Sequence, residues 1–190
     1  MIKAILLAAG QSKRMKSENK LIKLYKNKPL INYSLNVLTK SKVNKIIIVL
    51  GHQHKEVKKI IKKNKKISFI LNKKYKLGIS SSIKAGLKKI SKKNRGFIVV
   101  QSDMPFIKSS DINKICNSII KRKFLVHVLQ FKNKIGNPVG FDISVMKKFK
   151  KIKGDAGAKF MVKRLKKRTN FIKVTSNRIF KDFDLKKDFI

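Results

Sequence analysis

The sequence predicts a single-domain α/β fold, a Rossmann-like three-layer sandwich with a mainly parallel sheet and helices on both faces. Strand-like and helix-like segments alternate along almost the whole chain, which is typical of a parallel sheet. Ile46–Leu50 and Phe97–Val100 are continuously apolar, as in strands that are covered on both faces. The 190 residues contain no linker and no internal repeat, so one domain over 1–190 is expected.

Each element is predicted from its local pattern. Seven segments rich in β-branched residues are predicted strands: Ile2–Leu7, Lys45–Leu50, Ile67–Leu71, Phe97–Gln101, Phe124–Phe131, Pro138–Phe141 and Asn170–Thr175. Five segments have the spacing of amphipathic helices: Leu30–Thr39, Glu56–Lys63, Ser81–Ile90, Asp111–Lys121 and Ala156–Lys167. Ser110–Asp111 and Gly154–Asp155 are predicted helix starts. Because ligands of such sheets bind at the carboxyl ends of strands, the residues after each strand are the first candidates for a site.

The charge balance is strongly basic. Fifty Lys+Arg residues against nine Asp+Glu give a formal net charge of +41. This raises the alternative of a nucleic-acid-binding protein, whose affinity would fall steeply with salt. Arginine is preferred at base-reading and bidentate phosphate sites, yet nearly all of the positive charge is lysine, spread through every segment. We therefore expect a solvated surface that attracts anionic substrates such as nucleotides, and no dedicated nucleic-acid face.

The single cysteine, Cys116, excludes a disulfide within the chain and suits a reducing compartment, so the cytoplasm is expected. Cys116 falls in a helical pattern and is predicted to be buried. His127 falls in a strand pattern and is predicted to be a core histidine.

No apolar run approaches the roughly 20 residues that cross a bilayer. The apolar N-terminus lacks a cationic region of any length and is interpreted as the first strand rather than a signal peptide.

A loop of small residues follows the first strand and is a candidate phosphate-binding loop. It contains Leu7, Ala8, Ala9, Gly10, Gln11, Ser12, Lys13 and Arg14, and Lys20 follows. Small residues let the backbone approach a ligand, and successive N–H groups can hold phosphate oxygens. Arg14 and Lys20 would add positive charge around a triphosphate. The loop matches neither the P-loop nor the dinucleotide fingerprint, so those two enzyme classes lose support.

A carboxylate follows the fourth predicted strand, in Gln101-Ser102-Asp103. An acidic residue at the end of a buried strand is costly unless it is paired or binds a cation. In a chain with nine carboxylates, Asp103 is therefore a candidate Mg²⁺ ligand. The alternative is that it caps its loop or pairs with one of the many lysines.

These two elements, in this order, resemble the NTP-transferase family of molybdenum cofactor guanylyl- and cytidylyltransferases, whose first motif has the form L-A-[AG]-G-x-S-x-R-M…K. Four further segments resemble the cytidylyl branch, in order: Val49–Gln53, Leu77–Leu87, Gly136–Val139 and Gly154–Lys159. The likeness covers Met1 to about residue 189; each motif alone is weak, but six in order are specific. Two departures stand out. Lys16 replaces the usual Gly, and the tail Asp182–Phe189 lacks the Thr-Pro turn of the family pattern D-[IV]-D-T-P-E-D-L.

The resemblance implies a Mg²⁺-dependent nucleotidyltransferase that transfers CMP from CTP to a molybdopterin-type molybdenum cofactor and releases pyrophosphate. It implies catalytic roles for Arg14, Lys20 and Asp103, and metal ligation by Asp103 and Asp184. The nucleotide-binding set is Leu7, Ala8, Ala9, Gly10, Gln11, Ser12, Lys13, Arg14, Lys20, Gly51, Ser80, Ser81, Ser82 and Ser102. The acceptor-binding set is Asn137, Pro138, Gly154 and Asp155. A molybdenum hydroxylase would receive the product.

Several alternatives stay open. The acceptor could instead be a sugar phosphate or an alcohol phosphate, and the chain could be an accessory protein of a molybdenum hydroxylase with weak or no catalysis. Ser80–Ser82 fits a helix cap as well as a base or ribose contact. Asp155 could only start a helix, and the acidic tail could simply be solvated. The Ala8-Ala9-Gly10 form and the three serines resemble users of CTP, whereas the guanylyl branch more often has Gly-Gly.

Overall fold

A seven-stranded sheet forms the centre of the molecule in the computed structural model, which describes residues 1–15 and 18–189. The strands are β1 (Ile2–Ala8), β2 (Leu24–Tyr25), β3 (Lys28–Pro29), β4 (Lys45–Leu50), β5 (Ile67–Leu71), β6 (Gly96–Gln101), β7 (Val126–Phe131), β8 (Lys134–Asp142) and β9 (Thr169–Lys173). Their order in the main sheet is β5-β4-β1-β6-β8-β7-β9, and β2 and β3 form a separate antiparallel pair. Within the main sheet, the strands run in one direction except β8, which is antiparallel to β6 and β7. The predicted mainly parallel α/β fold is therefore confirmed.

The helices are α1 (Leu30–Thr39), α2 (His54–Lys59), α3 (Ile79–Leu87), α4 (Ser109–Ile120) and α5 (Ala158–Arg164). All five lie within the predicted segments or a few residues outside them. The helix start predicted at Gly154–Asp155 is wrong, because α5 begins at Ala158 after the N-cap residue Gly157. Gly154 has a φ of +56°, which interrupts a helix, and Asp155 contacts α3 instead. A 3₁₀ segment, Ile143–Lys151, was not predicted.

The helices cover both faces of the sheet. Because side chains alternate along a strand, neighbouring residues of one strand pack against opposite helix layers. On β1, Ala4 and Leu6 face the cluster that contains α1, α2 and α4, whereas Ile5 faces the cluster that contains α3, α5 and the 3₁₀ segment. All three side chains are fully buried. Each buried Leu or Ile stabilises the fold by about 1.5–3 kcal/mol relative to an exposed position. The central strands are therefore held rigidly, and their carboxyl ends have fixed positions.

The two residues predicted to be buried, Cys116 and His127, both lie in this core. Cys116 is buried in α4, as predicted, and burial raises the pKa of its thiol to about 11. His127 on β7 is also buried, with its Nδ1 2.7 Å from the hydroxyl oxygen of Ser118. Burial lowers the pKa of His127 to about 4, so its ring is neutral at pH 7. Within residues 1–15 and 18–189, none of the helices has both the length and the apolar character needed to cross a bilayer.

Candidate active site

A cleft of about 740 Å³ opens at the carboxyl ends of the central strands. It lies between the loop after β1, the end of β6, the segment before α3, and the C-terminal tail. Its lining residues are Leu7, Ala9–Arg14, Lys20, Leu21, Tyr75–Ile79, Ser82, Gln101–Asp103, Gly154, Asp155 and Asp184. Three of the nine carboxylates in the chain are therefore gathered here, in a molecule that is otherwise dominated by lysine.

The loop after β1 is shaped by a few backbone contacts. Ser12 takes a left-handed conformation with a φ of 51°, and its carbonyl oxygen accepts a hydrogen bond of 2.8 Å from the N–H of Met15. The Met15 side chain is fully buried and anchors the end of the loop. The Ser12 hydroxyl accepts the N–H of Lys20 at 3.1 Å, which ties Lys20 to the same loop. Gly10 has open space beside its Cα, so the loop can be approached closely from the cleft.

Lys20 joins two carboxylates that are far apart in the sequence. Its Nζ lies 2.6 Å from Oδ2 of Asp103 and 2.6 Å from Oδ1 of Asp184. These two oxygens are therefore at most 5.2 Å apart. Arg14 donates from its Nη1 to the other oxygen of Asp184, Oδ2, at 2.9 Å. The Lys20 and Asp103 side chains are 14% and 16% exposed, whereas Asp184 is 37% exposed, so the pair with Asp103 is the better shielded.

The protonation equilibria of this group follow from burial and charge. Burial alone would lower the pKa of Lys20, but the carboxylates of Asp103 and Asp184 outweigh it and raise that pKa above its usual value. Burial raises the pKa of Asp103, and the ammonium of Lys20 opposes that rise. The second carboxylate oxygen of Asp103, Oδ1, is buried and has no hydrogen-bond partner among the residues that the structure describes. A buried carboxylate oxygen without a donor is costly, and a cation would remove that cost.

The donor set suits an oxygen-preferring cation such as Mg²⁺ or Mn²⁺ better than a metal that prefers nitrogen or sulfur ligands. Mg²⁺ prefers oxygen ligands and is usually held by one or two carboxylates together with substrate phosphates. Asp103 and Asp184 supply two carboxylates at one end of the cleft, and Oδ1 of Asp103 accepts no hydrogen bond from residues 1–15 or 18–189. Among the described residues, no group of three or more His, Cys, Asp or Glu side chains could hold a metal by itself. The residues present therefore fit a divalent cation that arrives with a phosphate ligand.

The C-terminal tail brings Asp184 into the cleft. The N–H of Phe183 donates to the carbonyl oxygen of Asp103 at 2.9 Å. The Phe183 ring is 5% exposed, with ring centroids 4.8 Å from Tyr25, 5.8 Å from Phe106 and 5.2 Å from Phe189. Residues on either side of this buried ring point away from it, and Asp184 meets Lys20 and Arg14. The neighbouring Asp182 is exposed and does not line the cleft.

The opposite wall is the N-terminal end of α3. Gly78 has a φ of +92°, and a Cβ there would lie 2.5 Å from the Gly154 carbonyl group. The Gly154 oxygen accepts the N–H of Ser80 at 3.0 Å, and the Asp155 carboxylate accepts the N–H of Ile79 at 3.4 Å. Asp155 thus lies at the positive end of the helix dipole, where a negative charge is stabilised. Its position links the 154–155 loop to α3 and not to α5.

Not every predicted site residue lines the cleft. Those that do not are Ala8, Gly51, Ser80, Ser81, Asn137 and Pro138. Ala8 is buried in β1, and a Cβ on Gly51 would lie 2.7 Å from that of Ala9, so both support the loop from below. The side-chain amide of Asn72 donates to the hydroxyls of both Ser81 and Ser82. The Ser81 hydroxyl in turn donates to the backbone oxygens of Lys74 and Gly78. Of the three serines, only Ser82 lines the cleft. Lys16, the departure noted in the first motif, lies outside the described residues.

Several lining residues were missed by sequence analysis. Tyr75, Lys76, Leu77 and Ile79 form a wall before α3, and Leu77 is 62% exposed. The rule that ligands bind after strands could have found this wall, because it follows the predicted strand Ile67–Leu71. Gln101 was also missed. It closes β6, and its side-chain oxygen accepts from Asn137 at 2.6 Å. Asn137 therefore stands behind Gln101 at the edge of the cleft.

Sequence comparison finds relatives along nearly the whole chain. The model of the family described as "MobA-like NTP transferase domain" matches residues 4–169. The bifunctional protein GlmU of Thermosipho africanus is 29% identical over 182 residues, which are 95% of this chain and 39% of that protein. The 2-C-methyl-D-erythritol 4-phosphate cytidylyltransferase of Lachnoclostridium phytofermentans is 35% identical over 131 residues, 64% of this chain and 53% of that one. The chain thus spans 39% to 53% of the length of these two relatives.

Structure comparison finds the same fold in proteins of similar size. Rv0371c of Mycobacterium tuberculosis H37Rv superposes with a TM-score of 0.86 at 19% identity, covering 99% of this chain and 95% of that chain. A structure of Rv0371c in complex with manganese gives a TM-score of 0.81 at 17% identity, with coverage of 99% and 95%. At this level of identity the likeness shows the shared fold.

Proposed function

The chain belongs to the MobA-like NTP transferase domain family, which is a family of nucleotidyltransferases, and from this premise we propose that it transfers CMP from CTP to a molybdopterin-type cofactor. Mg²⁺ is the proposed cofactor and pyrophosphate the second product. One observation carries the proposal. Asp103 and Asp184 meet at Lys20 beside the loop after β1, where a triphosphate and its cation would lie together.

The triphosphate is assigned to the loop after β1. Backbone N–H groups of residues 9–13, with Lys20 and Arg14, would surround its oxygens, and the space beside Gly10 allows close approach. Ser102 braces the loop because its hydroxyl donates to the Leu7 carbonyl oxygen at 2.6 Å. Ser82 is the proposed nucleoside contact on the far side, while Ser80 and Ser81 hold the start of α3.

Asp103 and Asp184 would hold the Mg²⁺ through their carboxylate oxygens. A cation held there would supply positive charge against the negative charge of the phosphates. The manganese complex of Rv0371c, a protein of the same fold, supports a divalent cation here. Lys20 would then pair with the phosphates rather than with both carboxylates.

The proposed reaction is an in-line displacement. An oxygen of the acceptor phosphate forms a bond to the α-phosphorus of CTP while the bond from that phosphorus to the bridging oxygen of the β-phosphate breaks. Pyrophosphate takes the electron pair of the broken bond. No general base is required, because a phosphate nucleophile is ionised at neutral pH. The protein's part is to position both phosphates and to stabilise charge, which Arg14 and Lys20 would do.

The acceptor is assigned to the part of the cleft bounded by Gly154, Asp155 and the Gln101–Asn137 pair, with Pro138 buried behind them. The Ala8-Ala9-Gly10 form, which resembles CTP users, supports cytidylyl transfer. An alcohol phosphate is the second candidate acceptor, because a cytidylyltransferase named for such a substrate is 35% identical over 131 residues. A sugar phosphate is the third. A molybdenum hydroxylase is the proposed recipient of a molybdopterin product, in a cytoplasmic setting.

Pyrophosphate release tests the proposal. Purified protein is incubated with Mg²⁺, the molybdopterin-type cofactor and one of CTP, GTP, ATP or UTP, and the released pyrophosphate is measured. The Asp103→Ala variant is the inactive control. We expect release with CTP that disappears in the variant. Release with GTP would assign the guanylyl reaction instead. Release only with 2-C-methyl-D-erythritol 4-phosphate or a sugar phosphate would reject molybdopterin as the acceptor.

A further inference from the structure

The position of Asp184 depends on a short tail with little regular structure. Residues Lys186–Phe189 form a single 3₁₀ turn at the surface, and Leu185 is 39% exposed. Phe183 anchors the tail on one side of Asp184 through its buried ring and its bond to the Asp103 carbonyl. On the other side the Phe189 ring packs against Phe183, with 5.2 Å between ring centroids, but this contact lies five residues beyond Asp184 and does not fix the backbone at Asp184 itself.

Asp188 contacts that backbone directly. Its Oδ2 accepts the N–H of Asp184 at 2.8 Å and the N–H of Leu185 at 2.7 Å. Its own N–H donates to the Leu185 carbonyl oxygen at 3.0 Å, which closes the turn. A charged acceptor that binds two backbone N–H groups is stronger than a neutral one. The peptide plane that carries the Asp184 side chain is therefore fixed by a carboxylate four residues further on.

The sequence explains why a side chain is needed at this point. The family pattern places Thr-Pro directly after the second acidic residue, whereas this chain has Leu185 and Lys186. A threonine can cap a turn through its hydroxyl and a proline restricts φ, but leucine and lysine do neither. The pattern also has an Asp six positions after its first one, and Asp188 stands at that position, so this acceptor is kept while the Thr-Pro turn is not. The bonds from Leu185 and Asp184 also lower the pKa of Asp188, so it remains ionised over the neutral range.

We propose that Asp188 is a positioning residue for the metal site: it fixes the backbone of Asp184 so that this carboxylate meets Asp103 at the cleft. The inference rests on the proposed function in one respect, the assignment of Asp184 as a metal ligand. Asp188 itself does not line the cleft and acts through Asp184. Its loss would remove both side-chain hydrogen bonds to the backbone of residues 184 and 185 and let the Asp184 carboxylate leave its place beside Lys20.

Mn²⁺ binding provides the test, with free Mn²⁺ measured by electron paramagnetic resonance in the absence of nucleotide. We expect Asp188→Ala to weaken binding about tenfold, as the loss of a charge-assisted hydrogen-bond pair implies. Asp188→Asn keeps an acceptor oxygen and is expected to stay within about threefold of wild type, on the same reasoning. Asp142→Ala is the matched control. Asp142 also binds a backbone N–H of a turn through its carboxylate, that of Ser144 at 2.9 Å, but it pairs with Gly96 at the far end of β6.

A double-mutant cycle separates positioning from general destabilisation. If Asp188 acts only through Asp184, then Asp188→Ala has no further effect on Mn²⁺ affinity in the Asp184→Ala background. Wild-type affinity in Asp188→Ala, or an equal loss in Asp142→Ala, would overturn the inference. If Asp184→Ala itself binds Mn²⁺ as wild type does, the metal site of the proposed function fails as well. If only Asp184→Ala loses affinity, the proposed function stands and the role of Asp188 is rejected.

Discussion

Lys20 competes with a metal ion for the same two carboxylates, so removing its charge should strengthen the binding of free metal. The perturbation is Lys20→Met, which keeps the length of the apolar stem and deletes the ammonium. In the wild-type protein a cation that approaches Asp103 and Asp184 must first displace a donor that lies 2.6 Å from each. The variant has no such donor.

The size of the effect follows from the exposure of the partners. A hydrogen bond between charged groups contributes about 1.5–3 kcal/mol. The bond to Asp103 is shielded, with side chains 14% and 16% exposed, so we count it at about 2 kcal/mol. The bond to Asp184 is screened by solvent, since that side chain is 37% exposed, and we leave it out. About 2 kcal/mol corresponds to roughly 30-fold in affinity.

The assay is the titration of Mn²⁺ without nucleotide, followed by electron paramagnetic resonance. Lys20→Met should bind Mn²⁺ about 30-fold more tightly than wild type and gain less from added nucleotide, because no ammonium at position 20 then competes with the cation. Lys28→Met is the control. It removes one positive charge from β3, where the ammonium lies over the Tyr33 ring, and should change the affinity little. Equal or weaker Mn²⁺ binding in Lys20→Met would refute the reasoning.

Three further predictions concern stability. The pKa of His127 is about 4 in the folded chain against about 6.5 in the unfolded chain. The free energy of unfolding should therefore fall by about 3 kcal/mol between pH 6.5 and pH 4, because only the unfolded chain takes up a proton there. Urea unfolding from pH 7.5 to 4 should show this loss in wild type but not in His127→Leu. Arg178→Met leaves the buried Asp111 carboxylate without its charged partner and should lower the free energy of unfolding by about 3–5 kcal/mol. A decrease below about 1 kcal/mol in urea unfolding would contradict this. Gly86→Ala places a Cβ 2.5 Å from Ile5 Cγ2 and should destabilise by about 1–3 kcal/mol, whereas Gly10→Ala, with open space, should have little effect on the melting temperature.

The sequence predicted the sheet well because its strands carry their own signal. Continuous apolar runs such as Ile46–Leu50 are determined by burial on both faces, and their bounds differ little from those of β4. The start of α5 was mispredicted for a non-local reason. Asp155 looks like a helix cap in sequence, but its hydrogen bond goes to Ile79, 76 residues away. Local capping preference cannot distinguish between these two partners.

The candidate site was predictable only in part, because only part of it carries a local signal in the sequence. Asp103 was found because a carboxylate after a buried strand demands a partner. Asp184 was reached only through the resemblance, since an acidic tail has no periodicity that could place it in a cleft. The sharing of Lys20 between the two carboxylates could not be predicted, because nothing local connects residues that are 83 and 164 positions apart.

That separation has a consequence for the order of folding. Contacts between residues 164 positions apart require the closure of a long loop, which costs chain entropy before the contact is gained. The pairing of β1 with β4 and β6 involves shorter separations and can form first. A chain whose sheet has formed but whose tail has not docked would hold Asp103 with one cationic partner and no neighbouring carboxylate. Competence to bind a divalent cation should therefore appear in refolding after the sheet does, as a distinct and later step.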